Sequence, residues 1–267
     1  MVPRFRAVYH PERELAVDQT LVKYKSRVHF RHFIPSKLGR FAIKAFTLAE
    51  STSGYVLGSK VYTAKAAAVV QKDQREKAVM SLMEPFVVKG YYLSMDNNYI
   101  SVGLFEELEE RSTLACGTAR SNRVALPRDI CHLKSRHVKQ LKRGQSLNRQ
   151  KGTLTCVTRR DRKGVSMLFA CTVPTSQAHS GEVERIVKVN GQWQMENFAH
   201  LDVINLYNTF TGGVDVADQE VSTYSRLMRC SVWYYKLFFD VVEVCLSNAH
   251  ILEKKSLIHT TRNSLQS

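Results

Sequence analysis

The stretch YNTFTGGVDVADQ, residues 207–219, joins two predicted helices through a pair of glycines. Apolar spacing predicts helices over 200–210 and 215–225, so Asp215 begins the second helix directly after Gly212 and Gly213. An acid in the first turn of a helix is favoured by the helix dipole, which would explain Asp215 without any chemistry. The stretch therefore gains functional meaning only together with the other acids of the chain.

Two further carboxylates are predicted to lie at the ends of strands. Asp18 lies near the end of the strand-like segment 14–21, and Asp96 ends the strand 91–95, where a simple strand-end turn is the alternative. A carboxylate that ends a central strand is costly to bury unless it is paired, hydrogen-bonded or bound to a metal. Asp18, Asp96 and Asp215 together fit a site in which carboxylates from separate elements clamp two divalent metal ions.

The charge of the chain is strongly positive and unevenly distributed. The 267 residues include 39 Lys and Arg against 24 Asp and Glu, a net charge of +15. Residues 120–163 hold 14 Lys and Arg against 2 Asp and Glu, which is +12 in that segment. Such a segment indicates a polyanionic partner, either nucleic acid or an anionic membrane surface, although a solvated basic face is the alternative. The candidate phosphate-binding residues are Arg120, Arg123, Arg128, Lys134, Arg136, Lys139, Lys142 and Arg143.

Composition excludes several classes of protein. A hydrophobic fraction of 44% supports a folded core, and no run approaches the ~18 apolar residues of a membrane span. The cysteines form no CxxC pair, which is the strong signature of a zinc site. Cys131, His132 and His137 could be zinc ligands, but the favoured interpretation is that they are exposed polar residues of a basic segment. Cys156 and Cys171 could face each other across a hairpin, but the first residues do not form a signal peptide. We expect reduced thiols in a cytosolic or nuclear protein.

The order of the predicted elements indicates an α/β domain with a mixed sheet. Strand-like segments up to residue 62 form an antiparallel meander, and helices over 74–87 and 101–111 flank the strand that ends at Asp96. Beyond residue 120 the pattern predicts a loop over 144–152 between short helical or strand-like runs, and strands over 153–159 and 165–172. An apolar helix from 232 to 252 is expected to bury its aromatic residues, and the last dozen residues to fray. Trp193 would either pack in the basic segment or stack on a nucleic-acid base.

Several motifs together resemble the piggyBac transposase family. The opening stretch is similar to the family's YNxxxGGVDxxDQ signature, and ELAVDQ (14–19) and FIPSK (33–37) to its ELSIDE and YIPxKP segments. DN (96–97), CGTARSNR (116–123) and LP (126–127) match DNxFTS…CGTxRxNRxxLP, and SNAHIL (247–252) resembles xNAYIL. The resemblance covers about residues 8–254, and the GGVD signature with the RSNR segment is more specific than any single acid.

The resemblance implies an α/β fold with a ribonuclease H-like mixed sheet and flanking helices, interrupted by a basic β-rich insertion. It implies a DDE/D-type catalytic core with Asp18, Asp96 and Asp215 as the triad and Asp218 as an additional metal ligand. Two Mg²⁺ or Mn²⁺ ions would support cleavage and transfer of DNA strands at transposon ends and TTAA targets, in the nucleus. The implied organisation is a core over 1–119, an insertion domain over 120–199, a helical core part over 200–255 and a tail over 256–267. Whether the chain forms a homodimer stays open.

The chain departs from the family pattern at several positions. Gln19 stands where the family has an acid, Ala49-Glu50-Ser51 stands at its CDS segment, and Asn98-Tyr99-Ile100 stands at the run behind the second catalytic acid. The family's N-terminal DNA-binding region and its C-terminal cysteine-rich module have no counterpart, so we expect a truncated transposase-type catalytic domain. The alternative is a domesticated or decayed fragment that binds DNA or a protein partner without catalysis; a membrane-surface protein is the weakest interpretation.

Overall fold

The computed structural model describes residues 2–35, 40–63, 74–132, 135–161, 163–170, 179–189, 192–224 and 230–265. Among the helices of these ranges, none combines the length and apolar character that crossing a bilayer requires. In chain order the elements are α1 (Val2–Val8), β1 (Glu14–Lys23), β2 (Arg31–Phe33), β3 (Phe41–Glu50), β4 (Val56–Val61), α2 (Gln74–Met83), β5 (Tyr92–Met95), α3 (Val102–Glu110), β6 (Leu114–Ala119), α4 (Arg128–Cys131), α5 (Arg136–Gln140), β7 (Ser146–Lys151), β8 (Leu154–Arg160), β9 (Gly164–Ala170), β10 (His179–Val189), β11 (Gln192–Leu201), α6 (Asp202–Phe210), α7 (Gly213–Tyr224) and α8 (Trp233–Leu265).

Two compact units make up the chain, and each is described by itself. The split unit consists of Met1–Pro85 and Gly212–Ser267, and the central unit consists of Phe86–Thr211. The split unit is therefore assembled from the two ends of the sequence, while the central unit is one continuous stretch. The domain boundaries expected at residues 119, 199 and 255 stay predictions.

The sheet of the split unit is organised around the long strand β3. One edge of β3 pairs with β1 over its whole length, from Leu15↔Glu50 to Lys23↔Ala42, in antiparallel register. The other edge is shared, since β2 pairs with the beginning of β3 and β4 with its later residues. The antiparallel arrangement predicted for this region is confirmed.

The extent of β1 corrects the position of Asp18. We expected Asp18 near the end of a strand, but β1 continues to Lys23 and Asp18 lies opposite Thr47 in the middle of the ladder. The strand continues because Thr20 and Val22 alternate with their neighbours, and β-branched side chains suit a pleated surface. The residues before and after Asp18 on β1 are consequently paired with β3, and this pairing fixes Asp18 more firmly than a position at a strand end would.

The central unit contains a mixed sheet. β5 and β6 are parallel neighbours, as expected for strands joined through a helix, here α3. β9 then pairs antiparallel with β6, and β8 and β7 extend the sheet from β9. A buried cluster that includes Cys116, Val157 and Phe169 fills one face, where α6 contributes Val203 and Ile204.

Two expectations for the central unit are wrong. Residues 144–152 were expected to form a loop, but residues 146–151 form the edge strand β7, which pairs with β8. The sequence shows no apolar alternation here because most of the side chains of β7 are polar. Residues 179–189 and 192–201 form the antiparallel ribbon β10–β11, which the sequence did not predict. The Trp193 ring on this ribbon is 68% exposed, so it does not pack in a core of the described residues.

The helix α8 differs from its prediction in two ways. It runs to Leu265 where fraying was expected after Leu252, since no glycine or proline interrupts residues 233–265. Its aromatic residues were expected in the core, but Trp233, Tyr234 and Phe238 are exposed and Phe239 is only partly buried. Asn248 and Ile251 of α8 are buried, Leu237 packs against a cluster that includes Phe30, and the Trp233 ring lies 5.3 Å from the Phe30 ring.

Candidate active site

The beginning of α7 packs against the turn at the end of β3. A Cβ atom added to Gly213 would lie 2.8 Å from the Glu50 carbonyl oxygen and 2.8 Å from the Ser51 Cα, whereas one added to Gly212 would meet no described atom within 4 Å. A side chain at Gly213 would thus push α7 off the sheet. The second glycine of the GGVD stretch therefore sets where Asp215, in the first turn of α7, is placed.

A hydrogen bond joins α7 to β1 next to this turn. The Thr20 hydroxyl donates to the Asp218 carboxylate with an oxygen–oxygen distance of 3.1 Å. Thr20 and Asp18 are two residues apart on β1, so they extend from the same face of the strand. Asp18, Asp215 and Asp218 are accordingly all placed by the β1–α7 pair within the split unit.

These carboxylates influence one another electrostatically. The pKa of Asp218 is raised to about 6, chiefly by burial, with the negative charges of Asp215, Asp240 and Asp18 adding to the rise and the Thr20 hydrogen bond opposing it. The neighbouring carboxylates thus repel the charge of Asp218 in surroundings that water screens incompletely. A cation bound among them would relieve that repulsion.

Asp240 is an acid that the sequence analysis missed. It lies on α8 in the run FFDVVEV, and burial together with Glu243 raises its pKa to about 6, while Lys236 one turn earlier lowers it. Its charge also acts on Asp218. An acid flanked on both sides by apolar residues of a helix is a sequence signal that could have identified it.

Asp96 follows β5 directly, as predicted, and belongs to the central unit. The side-chain amide of Asn98 donates to the Asp96 carboxylate at 2.9 Å, and the Tyr99 backbone N–H donates to the Asp96 carbonyl oxygen at 3.0 Å. Asn98 belongs to the run behind Asp96 that departs from the piggyBac pattern, and here it supplies a hydrogen bond to the acid. The turn 96–99 is ordered by its own side chains.

Two arginines hold this turn from outside. Arg120 donates from Nε to the Asn97 side-chain oxygen at 2.9 Å and from Nη2 to the Asn98 side-chain oxygen at 2.7 Å. Arg123 donates from Nη2 to the backbone oxygens of Asn97 and Asn98, both at 2.8 Å. Arg120, Asn98 and Asp96 therefore form a continuous chain of hydrogen bonds that orients the Asp96 carboxylate.

The other basic candidates are spread over the central unit. Arg143 is engaged by the Asp161 carboxylate at 2.9 Å and lies 5.2 Å from the Phe198 ring centre. Lys134 lies outside the described residues. The candidates exposed to solvent are Arg128, Arg136, Lys139 and Lys142. Among the described candidates, these four side chains could bind phosphate groups without first breaking a hydrogen bond or ion pair within the protein.

A buried carboxylate, Glu50, fixes the turn on which Gly213 rests. Its side chain is fully buried and accepts hydrogen bonds from the Tyr9 hydroxyl at 2.6 Å, the Ser53 hydroxyl and the Glu12 backbone N–H at 2.6 Å. Lys255 of α8 forms an ion pair with it at 3.1 Å. Burial alone would raise the pKa of Glu50, but these hydrogen bonds lower it below its ordinary value. Sequence reasoning named Glu50 only as the acid of the segment that stands at the family's CDS motif and gave it no structural role.

The donor chemistry of the acids fits a hard divalent cation. Mg²⁺ prefers oxygen ligands and commonly uses one or two carboxylates together with water. Within the described ranges no group of three or more His, Cys, Asp and Glu side chains is arranged to hold a metal ion by itself. Within the split unit, Asp18, Asp215 and Asp218 carry carboxylate oxygens of this kind, and within the central unit Asp96 carries another.

The chain is similar to known proteins over most of its length. A family model described as Transposase IS4 matches residues 1–250. The chain is 26% identical over 259 residues to human PiggyBac transposable element-derived protein 3, covering 91% of this chain and 40% of that protein. It is also similar to the cryo-EM structure of a piggyBac transposase synaptic complex with hairpin DNA, with a TM-score of 0.76, 23% identity, and coverage of 96% of this chain and 51% of that one. The fold is therefore ribonuclease H-like, and the chain spans about half or less of the length of these relatives.

Proposed function

The chain belongs to the transposase family described as Transposase IS4, and from this premise we propose that it is a metal-dependent DNA strand-cleaving and strand-transferring core of the piggyBac type. One observation carries the proposal. The Thr20–Asp218 hydrogen bond joins the strand of Asp18 to the helix of Asp215, and the charges of Asp215 and Asp18 both act on the buried Asp218 carboxylate, which supports a role for the three acids in one site. Such a concentration of negative charge is costly to fold unless it serves a cation.

Each acid has a role that follows from its surroundings. As the piggyBac resemblance implies, Asp18, Asp96 and Asp215 would hold two divalent ions, with Asp218 as the additional ligand. Bound Mg²⁺ or Mn²⁺ would supply activation of a water or DNA 3′-hydroxyl and stabilisation of a leaving oxygen. The hydrogen bond from Thr20 holds the Asp218 carboxylate of α7 against β1. The hydrogen bonds of Asn98 and Arg120 hold the Asp96 carboxylate in one orientation. Pre-orientation of this kind lowers the reorganisation that the chemical step requires.

DNA is the proposed substrate, with transposon ends and TTAA targets as the sites that the piggyBac resemblance implies, and the nucleus as the compartment. The excess of positive charge in residues 120–163 supports binding to a phosphate backbone. The insertion domain proposed over 120–199 would carry most of these contacts. We expect DNA affinity to fall steeply between low and physiological salt; a flat salt response would argue against this segment as the DNA contact.

Metal binding is the first test of the proposal. Isothermal calorimetry or a thermal-shift titration should show a response to Mg²⁺ or Mn²⁺ in the wild type, and Asp96→Asn should abolish or strongly weaken it. The matched control is Asp161→Asn, since Asp161 is an acid of the same central unit that is engaged by Arg143. An identical response in wild type and Asp96→Asn would remove Asp96 from the metal site and leave a DNA-binding fragment without catalysis as the better account.

A further inference from the structure

Two buried thiols of the central unit lie next to each other. The sulfur atoms of Cys131, the last residue of α4, and Cys156, in the middle of β8, are 3.1 Å apart. A disulfide bond measures roughly 2.05 Å, so a small movement of one side chain brings the sulfurs to bonding distance. The sequence did not suggest this pair, because 25 residues separate the two cysteines and no CxxC motif is present. Cys131 was expected among exposed polar residues, which is wrong, since it is buried.

A cavity gives small molecules a route to this pair. It has a volume of about 510 Å³, and Cys156 is one of its lining residues. Leu126, Leu154 and Leu168 give it an apolar wall, and the exposed cations Arg128, Arg149 and Lys151 line it as well. Arg149 is engaged by Asp129 at 2.6 Å and Lys151 by Glu106 at 3.0 Å. A small uncharged oxidant that enters the cavity therefore meets the Cys156 side chain, and the Cys131 sulfur lies 3.1 Å from the Cys156 sulfur.

We propose that Cys131 and Cys156 form a reversible oxidation site, in which hydrogen peroxide converts the two thiols into a disulfide that ties α4 to β8. The Cys131 thiolate attacks one peroxide oxygen, releases hydroxide and becomes a sulfenic acid. The Cys156 sulfur then attacks the sulfenic sulfur, the S–S bond forms, and water leaves with the proton of the Cys156 thiol. Both sulfurs are oxidised by one electron each, and the peroxide is reduced to hydroxide and water.

The surroundings of the two sulfurs assign their roles. The hydrogen bond from the Cys156 thiol lowers the pKa of Cys131, whereas the same contact and burial raise the pKa of Cys156. Cys131 is thus the residue that attacks and Cys156 the one that resolves. Cys116 provides an internal comparison, because it is equally buried in the same unit. Its sulfur contacts the Ser94 hydroxyl at 3.5 Å instead of another thiol, and burial raises its pKa.

This oxidation is independent of the proposed DNA chemistry and has its own test. The folded protein is treated with dilute hydrogen peroxide, unfolded, labelled with N-ethylmaleimide and digested with trypsin without reductant. Mass spectrometry should find the peptide Asp129–Lys134 joined to Gly152–Arg159 with the loss of two hydrogen atoms, and Cys116 still labelled. We expect the linked form to appear roughly tenfold faster than any oxidation of Cys116.

Two variants test the order of events. In Cys156→Ser, dimedone should trap a sulfenic acid at Cys131, whereas in Cys131→Ser no adduct should appear at Cys156. The wild-type measurement stands even where a variant does not fold. Full labelling of both cysteines after peroxide treatment would overturn the proposal, and so would a disulfide between Cys156 and Cys171 or dimedone adducts of equal amount in the two variants.

Discussion

The Thr20 hydroxyl and the Asp218 carboxylate are joined by a hydrogen bond of 3.1 Å that connects β1 to α7. The two residues are 198 positions apart in the sequence, yet this contact sets the distance between the two halves of the proposed acid site in the split unit. It also moderates the pKa of Asp218, which burial and the charges of Asp215, Asp240 and Asp18 hold at about 6. The metal-free site is therefore under electrostatic strain.

The first prediction concerns the stability of the metal-free protein. The pKa of Asp218 in the folded protein, about 6, is above the ordinary value of 3.8. The contribution of Asp218 to the free energy of unfolding is therefore fully present below pH 3.8 and is lost as the pH rises through 6. We expect Asp218→Asn to stabilise the metal-free protein at pH 7.5, by on the order of 2–3 kcal/mol, and to have little effect near pH 4. Urea denaturation at the two pH values measures this difference.

Asp240→Asn is the matched control for that prediction. The pKa of Asp240 is raised to about 6 as well, so replacing it with Asn should give the metal-free protein the same gain in stability at pH 7.5. Asp240→Asn should keep the stabilisation that Mg²⁺ gives to the wild type, whereas Asp218→Asn should lose most of it. A destabilised Asp218→Asn at pH 7.5 would show that this carboxylate is satisfied without a cation.

A second prediction separates the two glycines of the GGVD stretch. Gly213→Ala brings a Cβ atom within 2.8 Å of the backbone at Glu50 and Ser51, and it should destabilise the protein by about 1–3 kcal/mol. Gly212→Ala introduces no contact with described atoms within 4 Å and should change the free energy of unfolding by less than about 1 kcal/mol. Chemical denaturation of the two variants side by side checks this. Equal effects would mean that the clearance at Gly213 does not limit the packing of α7.

A third prediction distinguishes orientation of Asp96 from DNA binding. Arg120→Met removes the donors that hold Asn97 and Asn98, so it should lower the cleavage rate at saturating DNA, by roughly tenfold or more. Arg128→Met removes an exposed cation, so it should weaken DNA binding and reduce the salt slope by about 1, with little effect on the rate at saturation. Nicking assays over a range of DNA concentrations separate the two. The hydrogen-bond chain has no positioning role if Arg120→Met changes affinity alone.

A fourth prediction concerns the buried ion pair of Glu50 and Lys255. The pKa of Glu50 is lowered, so its contribution to stability is present above the ordinary Glu value and is lost as pH falls through the folded pKa. The pKa of Lys255 is raised, because hydrogen bonds and the charge of Glu50 outweigh burial, so its contribution is lost as pH rises through that pKa. Lys255→Met leaves Glu50 buried without its cation and should cost about 2–4 kcal/mol at pH 7.

The double variant Glu50→Gln with Lys255→Met gives the control for this pair. It should recover part of the lost stability, because the uncompensated charge is removed together with its partner. Thermal unfolding of the single and double variants at pH 5, 7 and 10 measures the coupling. Additive losses in the double variant would mean that the two side chains do not stabilise each other.

Local sequence patterns predicted much of the fold and failed where apolar periodicity gives no signal. Asp96 after β5 and Asp215 at the start of α7 follow from apolar periodicity and glycine placement, which are properties of neighbouring residues. β7 and the β10–β11 ribbon do not follow from such a pattern, since backbone pairing with the next strand along the chain defines them. The role of Glu50 and the Cys131–Cys156 pair could not be predicted, because their partners lie far away in the sequence. Asp240 differs, since the apolar residues around it were a local signal that was overlooked.

Nicking of supercoiled plasmid in the presence of Mn²⁺ tests the proposed cleavage activity most directly. The account predicts that the wild-type chain converts supercoiled to open-circular DNA, and that Asp215→Asn, purified in parallel and equally folded by circular dichroism, does not. Omitting Mn²⁺ should stop the wild-type reaction as well. Equal nicking by wild type and Asp215→Asn, or no nicking by either at saturating DNA and Mn²⁺, would contradict a metal-dependent strand-cleaving core in this chain.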